Sequence, residues 1–476
     1  MVTYKSVNLG GWLVVEGWIK PSLFDSVPDK DLMDGTQIQL KSVALGTYLV
    51  AEGGGGEKIA VNRNSPSGWE TFRLWRVKEG SYHLRVFNKQ FIAAQNGGGG
   101  IVNAVATTPS TWETFQIIRN NSNPNRVHIK ALNGMYIQAK SQDQLTADFQ
   151  GDPGWGNNAA TFEMTIVKGL QGEYQLTNGL GPDRAPQVLN DHRNSYIQES
   201  DFTFLSQKGI NCVRIPVGWW IASDPNPPAP FVGGSLQALD NAFSWAKNHN
   251  IKIIVTLHAA PGSQNGDEHS GARDGYIEWD SEDNMNKSLS VIDFLASRYA
   301  NDSALLGIEL LNEPRAPDIA VDKLRTYYRN GYNTIRKYSS TAYVVMCNRI
   351  GPADPKELFE MNNGLAHTVV DVHYYNLFDD QRFKGMTVQQ NIDHVYGDRG
   401  STLSSLVNAN GPLIYVGEWT SEWEVQGASM SDYQRFGQAQ LQVYGKASFG
   451  WAYWTHKNVN GHWSFEWMVK NNYLQL

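Results

Sequence analysis

Cysteine is nearly absent from this 476-residue chain: there are two, Cys212 and Cys347, each inside an apolar, strand-like run. That scarcity excludes a disulfide-stapled fold and a cysteine-rich zinc site, and both thiols read as buried and free. No apolar stretch approaches the roughly 18 residues that a membrane-spanning helix needs. Charge is also sparse, at 18% of residues against 41% hydrophobic, a balance that supplies a large core and excludes a disordered polypeptide. The net charge of -7 argues against nucleic acid or an anionic membrane as a partner. There is no Gly-rich phosphate loop at a strand–helix junction, no HExxH and no Gly-x-Ser-x-Gly elbow. The start, Met-Val-Thr-Tyr-Lys, carries no signal-peptide pattern and reads as either a mature or an artificially set start, while Asn120, Asn286 and Asn301 open N-x-S/T sequons, a number that chance supplies in a chain of this length.

What the chain does have is length, aromatics and a repeat. Its size predicts one large domain plus a smaller module. Trp69-Glu70-Thr71-Phe72 recurs as Trp112-Glu113-Thr114-Phe115, 43 residues on, and a degenerate copy follows at Ala160-Thr161-Phe162-Glu163. Gly46 to Ala51, Lys89 to Ala94 and Gly134 to Ala139 align in the same way. Self-similarity at this period marks repeated supersecondary units. Three short-stranded units predict an all-β trefoil over residues 36–168, and the pattern resembles a fascin-like module. The recurring Trp69 and Trp112 are expected in the trefoil core rather than as sugar platforms.

Outside that block, strand-like runs alternate with helical patterns. The runs fall at Ser6–Val15, Asn211–Val217, Lys252–Leu257, Leu305–Leu311, Ala342–Cys347, Thr368–Val372, Pro412–Val416 and Phe449–Trp454. Between them, Leu236, Leu239, Phe243 and Ala246 share one helical face, as do Leu289, Ile292, Leu295 and Tyr299. Eight such strands predict an α/β fold, a (β/α)8 TIM barrel; a doubly wound sheet is the runner-up. The expected domains are therefore 1–35 (first barrel strand and its exit loop), 36–168 (the trefoil insertion) and 169–476 (the rest of the barrel). Loops that follow barrel strands lie on the catalytic face, so an insertion after strand one is expected beside the active site.

In such a barrel the chemistry sits at the C-terminal ends of the strands. Those ends supply Glu16, Arg214, His258, Asn312 with Glu313, His373 with Tyr375, Glu418 and Trp454. Two glutamates emerging from buried strands can divide acid and nucleophile roles, the core of glycoside hydrolysis. The competing reading of either glutamate is an ion pair or a helix cap. Arg214 is equally readable as a structural ion-pair partner, and a lone strand-end histidine as a satisfied core residue.

Together, Asn8-Leu9-Gly10-Gly11-Trp12, Val213 to Gly218, His258 to Gly266, Leu311-Asn312-Glu313-Pro314 and Gly417-Glu418-Trp419 resemble glycoside hydrolase family 5, nearest its exo-β-1,3-glucanase-like members. With the fascin-like insertion, the chain is similar to the plant β-glucosidase and transglucosidase group of that family. The resemblance implies a retaining β-glucoside hydrolase with Glu313 as acid/base and Glu418 as nucleophile. It implies that Arg214 and Tyr375 orient Glu418, and that Asn312 meets the sugar 2-hydroxyl. His258 and His373 line the pocket, Glu16 and Asn265 bind further hydroxyls, Trp454 is the stacking platform and Phe378 an outer wall. The acid/base is expected to have a raised pKa, and the nucleophile one lowered by Arg214. Substrates would be β-glucosides, β-linked oligosaccharides or glucans, with transfer to acceptor alcohols or acids, in a secreted or cell-wall setting. No cofactor and no metal is expected, since Asp267-Glu268-His269 lacks ligand spacing. Two other classes compete. One is a carbohydrate-binding protein acting through the trefoil with a vestigial barrel; the other is an actin-bundling scaffold, which no basic surface run supports.

Overall fold

The computed structural model describes residues 3–476, which pack as two compact units. Of the described residues, one unit comprises those up to 23, 186–272 and 276–476; the other comprises 24–185 with 273–275.

The first unit is a closed barrel of eight parallel strands in chain order. They are Tyr4–Asn8, Cys212–Gly218, Lys252–Ala259, Leu305–Glu309, Tyr343–Cys347, Thr368–Tyr374, Leu413–Trp419 and Gly450–Tyr453. The first strand closes the barrel against the eighth, with Tyr4 opposite Gly450 and Val7 opposite Tyr453. It is shorter than the expected Ser6–Val15, because the chain turns after Asn8, with Gly11 at φ 70°. Leu13, Val14 and Val15 are fully buried, so their apolar character reflects packing rather than strand.

Helices surround the strands, and their starts are legible in local chemistry. Ser281 accepts from the Asn284 N–H to open Glu282–Tyr299, and Ser429 with Asp432 forms a capping box ahead of Met430–Tyr444. The helix Val321–Arg336 buries Leu324, Tyr327, Tyr328, Gly331 and Ile335, a stripe at helical spacing. Strand residues of one parity, such as Val213, Ile215 and Val217, join the helices in one large core. Those of the other parity form a second cluster of Cys212, Ile254, Val345, Val369, Tyr415 and Ala452. Two residues further along their strands, Cys212 and Val369 give way to Arg214 and Asp371. The barrel interior therefore changes from apolar to charged one layer below the strand ends.

The second unit is all-β. Six strands, Gln37–Ser42, Thr71–Lys78, Ser81–Arg85, Phe115–Arg119, Arg126–Lys130 and Phe162–Lys168, pair in an antiparallel ring, the last returning to the first. Three hairpins complete it: Tyr48–Ala51 with Ile59–Arg63, Phe91–Ala94 with Val102–Ala106, and Tyr136–Ser141 with Gln144–Phe149. This ring with three hairpins is the threefold trefoil arrangement. The repeat copies explain themselves here. Phe72, Phe115 and Phe162 fill the core, while Glu70 and Glu113 each accept two hydrogen bonds from a serine three residues earlier, both 2.7 Å.

Trp69 and Trp112 depart from expectation: they are 39% and 46% exposed rather than core. Within each copy the phenylalanine enters the core and the glutamate folds back on its serine. The indole is thereby turned outward, over Gly54 in one copy and Gly97 in the other. The glycine loops beside them are required by geometry. Gly55 and Gly98 have φ of 136° and 127°, and Asn88 and Asn133 occupy the space a Cβ would need.

At the barrel seam Gly450 has φ 138°, and a Cβ there would meet the carbonyl oxygen of Tyr4. Gly450→Ala should therefore lower stability by roughly 2–4 kcal/mol through forced separation of the first and eighth strands. Urea denaturation followed by tryptophan fluorescence checks this; an unchanged midpoint would contradict the seam's tightness.

Candidate active site

A cavity of about 760 Å³ opens at the C-terminal ends of the barrel strands, lined among others by Glu16, Trp18, His258, His269, Glu313, His373, Tyr375, Glu418, Trp454 and Trp463. Beneath it lies Arg214, fully buried. Its guanidinium donates to Glu309 Oε2 at 2.6 Å, Asn312 Oδ1 at 2.7 Å, Asn8 Oδ1 at 2.9 Å and Glu418 Oε1 at 3.0 Å. The Tyr375 hydroxyl donates to the other oxygen of Glu418 at 2.7 Å. Glu418 is thus held at both oxygens by groups from two other barrel elements.

Glu313 is held differently. It follows the fourth strand with φ 47°, and imidazoles flank both its oxygens: His373 Nδ1 lies 2.6 Å from Oε1, and His269 Nε2 lies 3.3 Å from Oε2. His373 also lies 3.5 Å from Glu418 Oε2, and its far nitrogen faces Asp371 at 3.2 Å. Ligand-type atoms of Glu313, His373 and Glu418 fall within 4.8 Å of one another, as do those of Glu309, Cys347, Asp371 and His373. Their hydrogen bonds to each other and to Arg214 account for that proximity without an ion.

Other expected site residues sort into wall and support. Trp454 stacks parallel to His258 at 5.4 Å. Phe378, 76% exposed, stands at the rim beside Tyr375 and Trp463. Asn265 does not line the cavity. Its amide donates to the Glu313 carbonyl at 3.1 Å and lies 3.0 Å from His269 Nε2, and its Oδ1 accepts from the Asp267 N–H, so it supports the loop behind the cavity wall. Glu16 Oε2 accepts from the Trp18 indole, while Glu16 Oε1, His258 Nδ1 and Asn312 Nδ2 are buried with no hydrogen-bond partner among the described residues.

Electrostatics reverse two expectations. Burial pushes the Glu313 carboxyl up, but hydrogen bonds from His269 and His373 outweigh it and hold it well below the usual range. Burial raises Glu418, helped by the Glu313 charge and only partly offset by His373 and Arg214. Burial is the largest influence on Glu418, and Arg214, which also holds Glu309 and lies 3.8 Å from Asp371, does not overcome it. Burial also lifts Glu309 to about 7 and Glu16 to about 8. His373 and His269 rise despite burial, His269 to about 10, because carboxylates face them. His258, buried and near His269 and Arg214, is held well below its usual value.

Sequence reasoning passed over Glu309, Asp371, His269, Trp18 and Trp463. Asp371 had a signal: it stands two residues before His373 on the strand Thr368–Tyr374, which puts both on one side of it. His269 had none, since its loop brings it to Glu313 with no periodicity to read.

Such a barrel, with paired carboxylates in a cavity at its strand ends, is that of a glycoside hydrolase. Residues 183–460 match the model described as "Cellulase (glycosyl hydrolase family 5)", and the chain belongs to that family. Residues 29–167 match a "Domain of unknown function (DUF7910)". The chain is 33% identical over 325 residues to the probable glucan 1,3-beta-glucosidase A of Emericella nidulans, covering 60% of this chain and 78% of that protein. It is 30% identical over 355 residues to the glucan 1,3-beta-glucosidase of Yarrowia lipolytica, covering 67% and 82%. Rutinosidase from Aspergillus niger superposes with a TM-score of 0.56 at 19% identity, covering 63% of this chain and 88% of that one, a likeness of fold. Among the described residues no helix is long and apolar enough to cross a membrane.

His269 makes stability pH-dependent. Its folded pKa of about 10 stands above the unfolded value of 6.5, so its contribution is complete below pH 6.5 and is lost as pH rises toward 10. Glu16 adds the same sign between 4.5 and about 8, because the folded state keeps a proton that the unfolded chain has released. The urea midpoint should fall between pH 7 and 10, and fall less steeply in His269→Ala. An equal slope in both proteins would exclude His269 as the source.

Proposed function

We propose that the barrel is a retaining β-glucoside hydrolase acting on β-glucosides and β-glucan oligosaccharides. The proximity of the two glutamates carries this reading. An oxygen of each carboxylate lies within 4.8 Å of the other, which suits the separation of about 5 Å of retaining enzymes better than the roughly 6.5–9.5 Å of inverting ones. Glu418 attacks the anomeric carbon and Glu313 protonates the departing oxygen. Glu313 then takes a proton from water, or from an acceptor alcohol or acid, as the glucosyl–Glu418 ester is resolved.

Arg214 and Tyr375 aim Glu418 and take up its charge before and after attack. The unpartnered Glu16 Oε1, His258 Nδ1 and Asn312 Nδ2 are the groups that sugar hydroxyls would satisfy, with Asn312 assigned to the 2-hydroxyl. Trp454 supplies the apolar face for the glucose ring. The relatives' activity on glucans brings β-1,3-glucan oligosaccharides forward as substrates, and with them a secreted or cell-wall setting. Exposed Trp69 and Trp112 favour a second, auxiliary reading in which the trefoil unit binds carbohydrate. Retention of the Glu418→Ala protein on insoluble β-glucan, lost in Trp69→Ala/Trp112→Ala, tests it.

Glu418→Ala should abolish turnover of every glucoside. Glu313→Ala should retain slow glycosylation by substrates with very good leaving groups, and azide should then rescue deglycosylation and yield a β-glucosyl azide. A β-glucosyl azide formed by the Glu418 variant instead would exchange the two roles.

A further inference from the structure

Asp371 has no place in the reading above, yet it is a fully buried carboxylate directly beneath the site. Its Oδ1 accepts the Gly417 N–H at 2.7 Å, and its Oδ2 faces His373 Nε2 at 3.2 Å. His373 Nδ1 in turn lies 2.6 Å from Glu313 Oε1. The three groups form one line, carboxylate–imidazole–carboxylate. Both ring nitrogens face carboxylate oxygens, and an imidazole satisfies two acceptors only when both nitrogens carry protons.

We propose that Asp371 is a positioning residue for the acid/base: by keeping Nε2–H on His373, it makes the Nδ1 proton the one that passes to Glu313. This rests on the assignment of Glu313 as acid/base. The step is a single proton transfer. The Nδ1–H bond of His373 breaks and an O–H bond forms on Glu313 Oε1, leaving a neutral imidazole whose Nε2–H still faces Asp371. Glu313, now neutral, protonates the leaving oxygen. In the second half-reaction Glu313 takes a proton from water, and that proton returns to Nδ1. The relay reconciles an acid role with a carboxylate that the imidazoles otherwise keep ionised.

The surroundings of His373 fit a proton store. Around it stand Glu313 after the fourth strand, Cys347 Sγ at 3.9 Å on the fifth, Asp371 on its own strand and Glu418 on the seventh. Arg214, Glu309, His258, His269 on the other oxygen of Glu313 and Tyr375 on Glu418 are further charged and titratable groups of this neighbourhood. Gly417 keeps Asp371 in place, because any Cβ there would overlap its carboxylate.

Asp371→Asn preserves shape but presents an amide N–H to Nε2, which must then accept, so the imidazole becomes neutral. An alkyl β-glucoside, which needs a proton on its leaving group, should lose roughly 10- to 100-fold in kcat/KM. A dinitrophenyl β-glucoside, which needs none, should lose far less, and the alkaline limb of the alkyl-substrate profile should move to lower pH. Equal losses on both substrates, or an unmoved limb, would overturn the relay. Should the variant fail to fold, 15N-histidine NMR of the native protein decides: His373 must show two protonated nitrogens at neutral pH, and a neutral ring refutes the proposal. If the native enzyme released no aglycone from any β-glucoside, the functional reading would fail by itself, whatever the NMR showed.

Discussion

One cation inside the barrel governs the arrangement of everything above it. Arg214 has no contact with solvent, and burying a guanidinium is costly unless its donors are met by anions and oxygens at good geometry. Here Glu309, Glu418, Asn8 and Asn312 meet it, arriving from or beside the first, fourth and seventh strands. The planar fork of donors suits that many-sided task better than a lysine would. The same charge must serve Glu309, Glu418 and Asp371. Burial lifts Glu309 to about 7 and raises Glu418, and Arg214 offsets that only in part at each. The carboxylates and imidazoles of the site are thus members of one titrating cluster rather than independent groups.

Much of the site was legible because barrel chemistry collects at strand ends. Glu313, Glu418, His258, His373 and Trp454 each end an apolar run, and the strand order places those ends around one cavity. Glu309 was hidden because the apolar run reads on to Leu311, whereas the strand ends at Glu309 itself, and its partner Arg214 comes from a different strand, which local pattern does not encode. Asp371 lies within its strand, where a lone carboxylate looks like an interruption unless it is read with His373 two residues on. His269 is the extreme case, a loop residue whose contact with Glu313 is purely tertiary. Protonation states were the least legible of all. They follow from which donors finally converge on each oxygen, and for Glu313 and Glu418 that reversed the assignment made from roles.

The second unit shows a related limit. Its period revealed three equivalent segments, and the ring of six strands with three hairpins follows from them. Equivalence did not reveal which side chain of each copy points inward. The phenylalanine takes the core and the indole is left outside, so recurrence marked a shared backbone turn rather than shared burial.

Asn8 carries a consequence of another kind, one of timing. Its amide donates to the carbonyls of Gly417 and Tyr453 while its oxygen serves Arg214, so one residue near the start of the chain waits for partners more than 400 positions later. Every strand pairing in the second unit, by contrast, lies between Gln37 and Lys168. During synthesis that ring can close while the first barrel strand is still unpaired on both edges, since its neighbours begin at Cys212 and Gly450. The open edges of a nascent barrel strand are sticky, and here one edge waits until the eighth strand, Gly450–Tyr453, has been made.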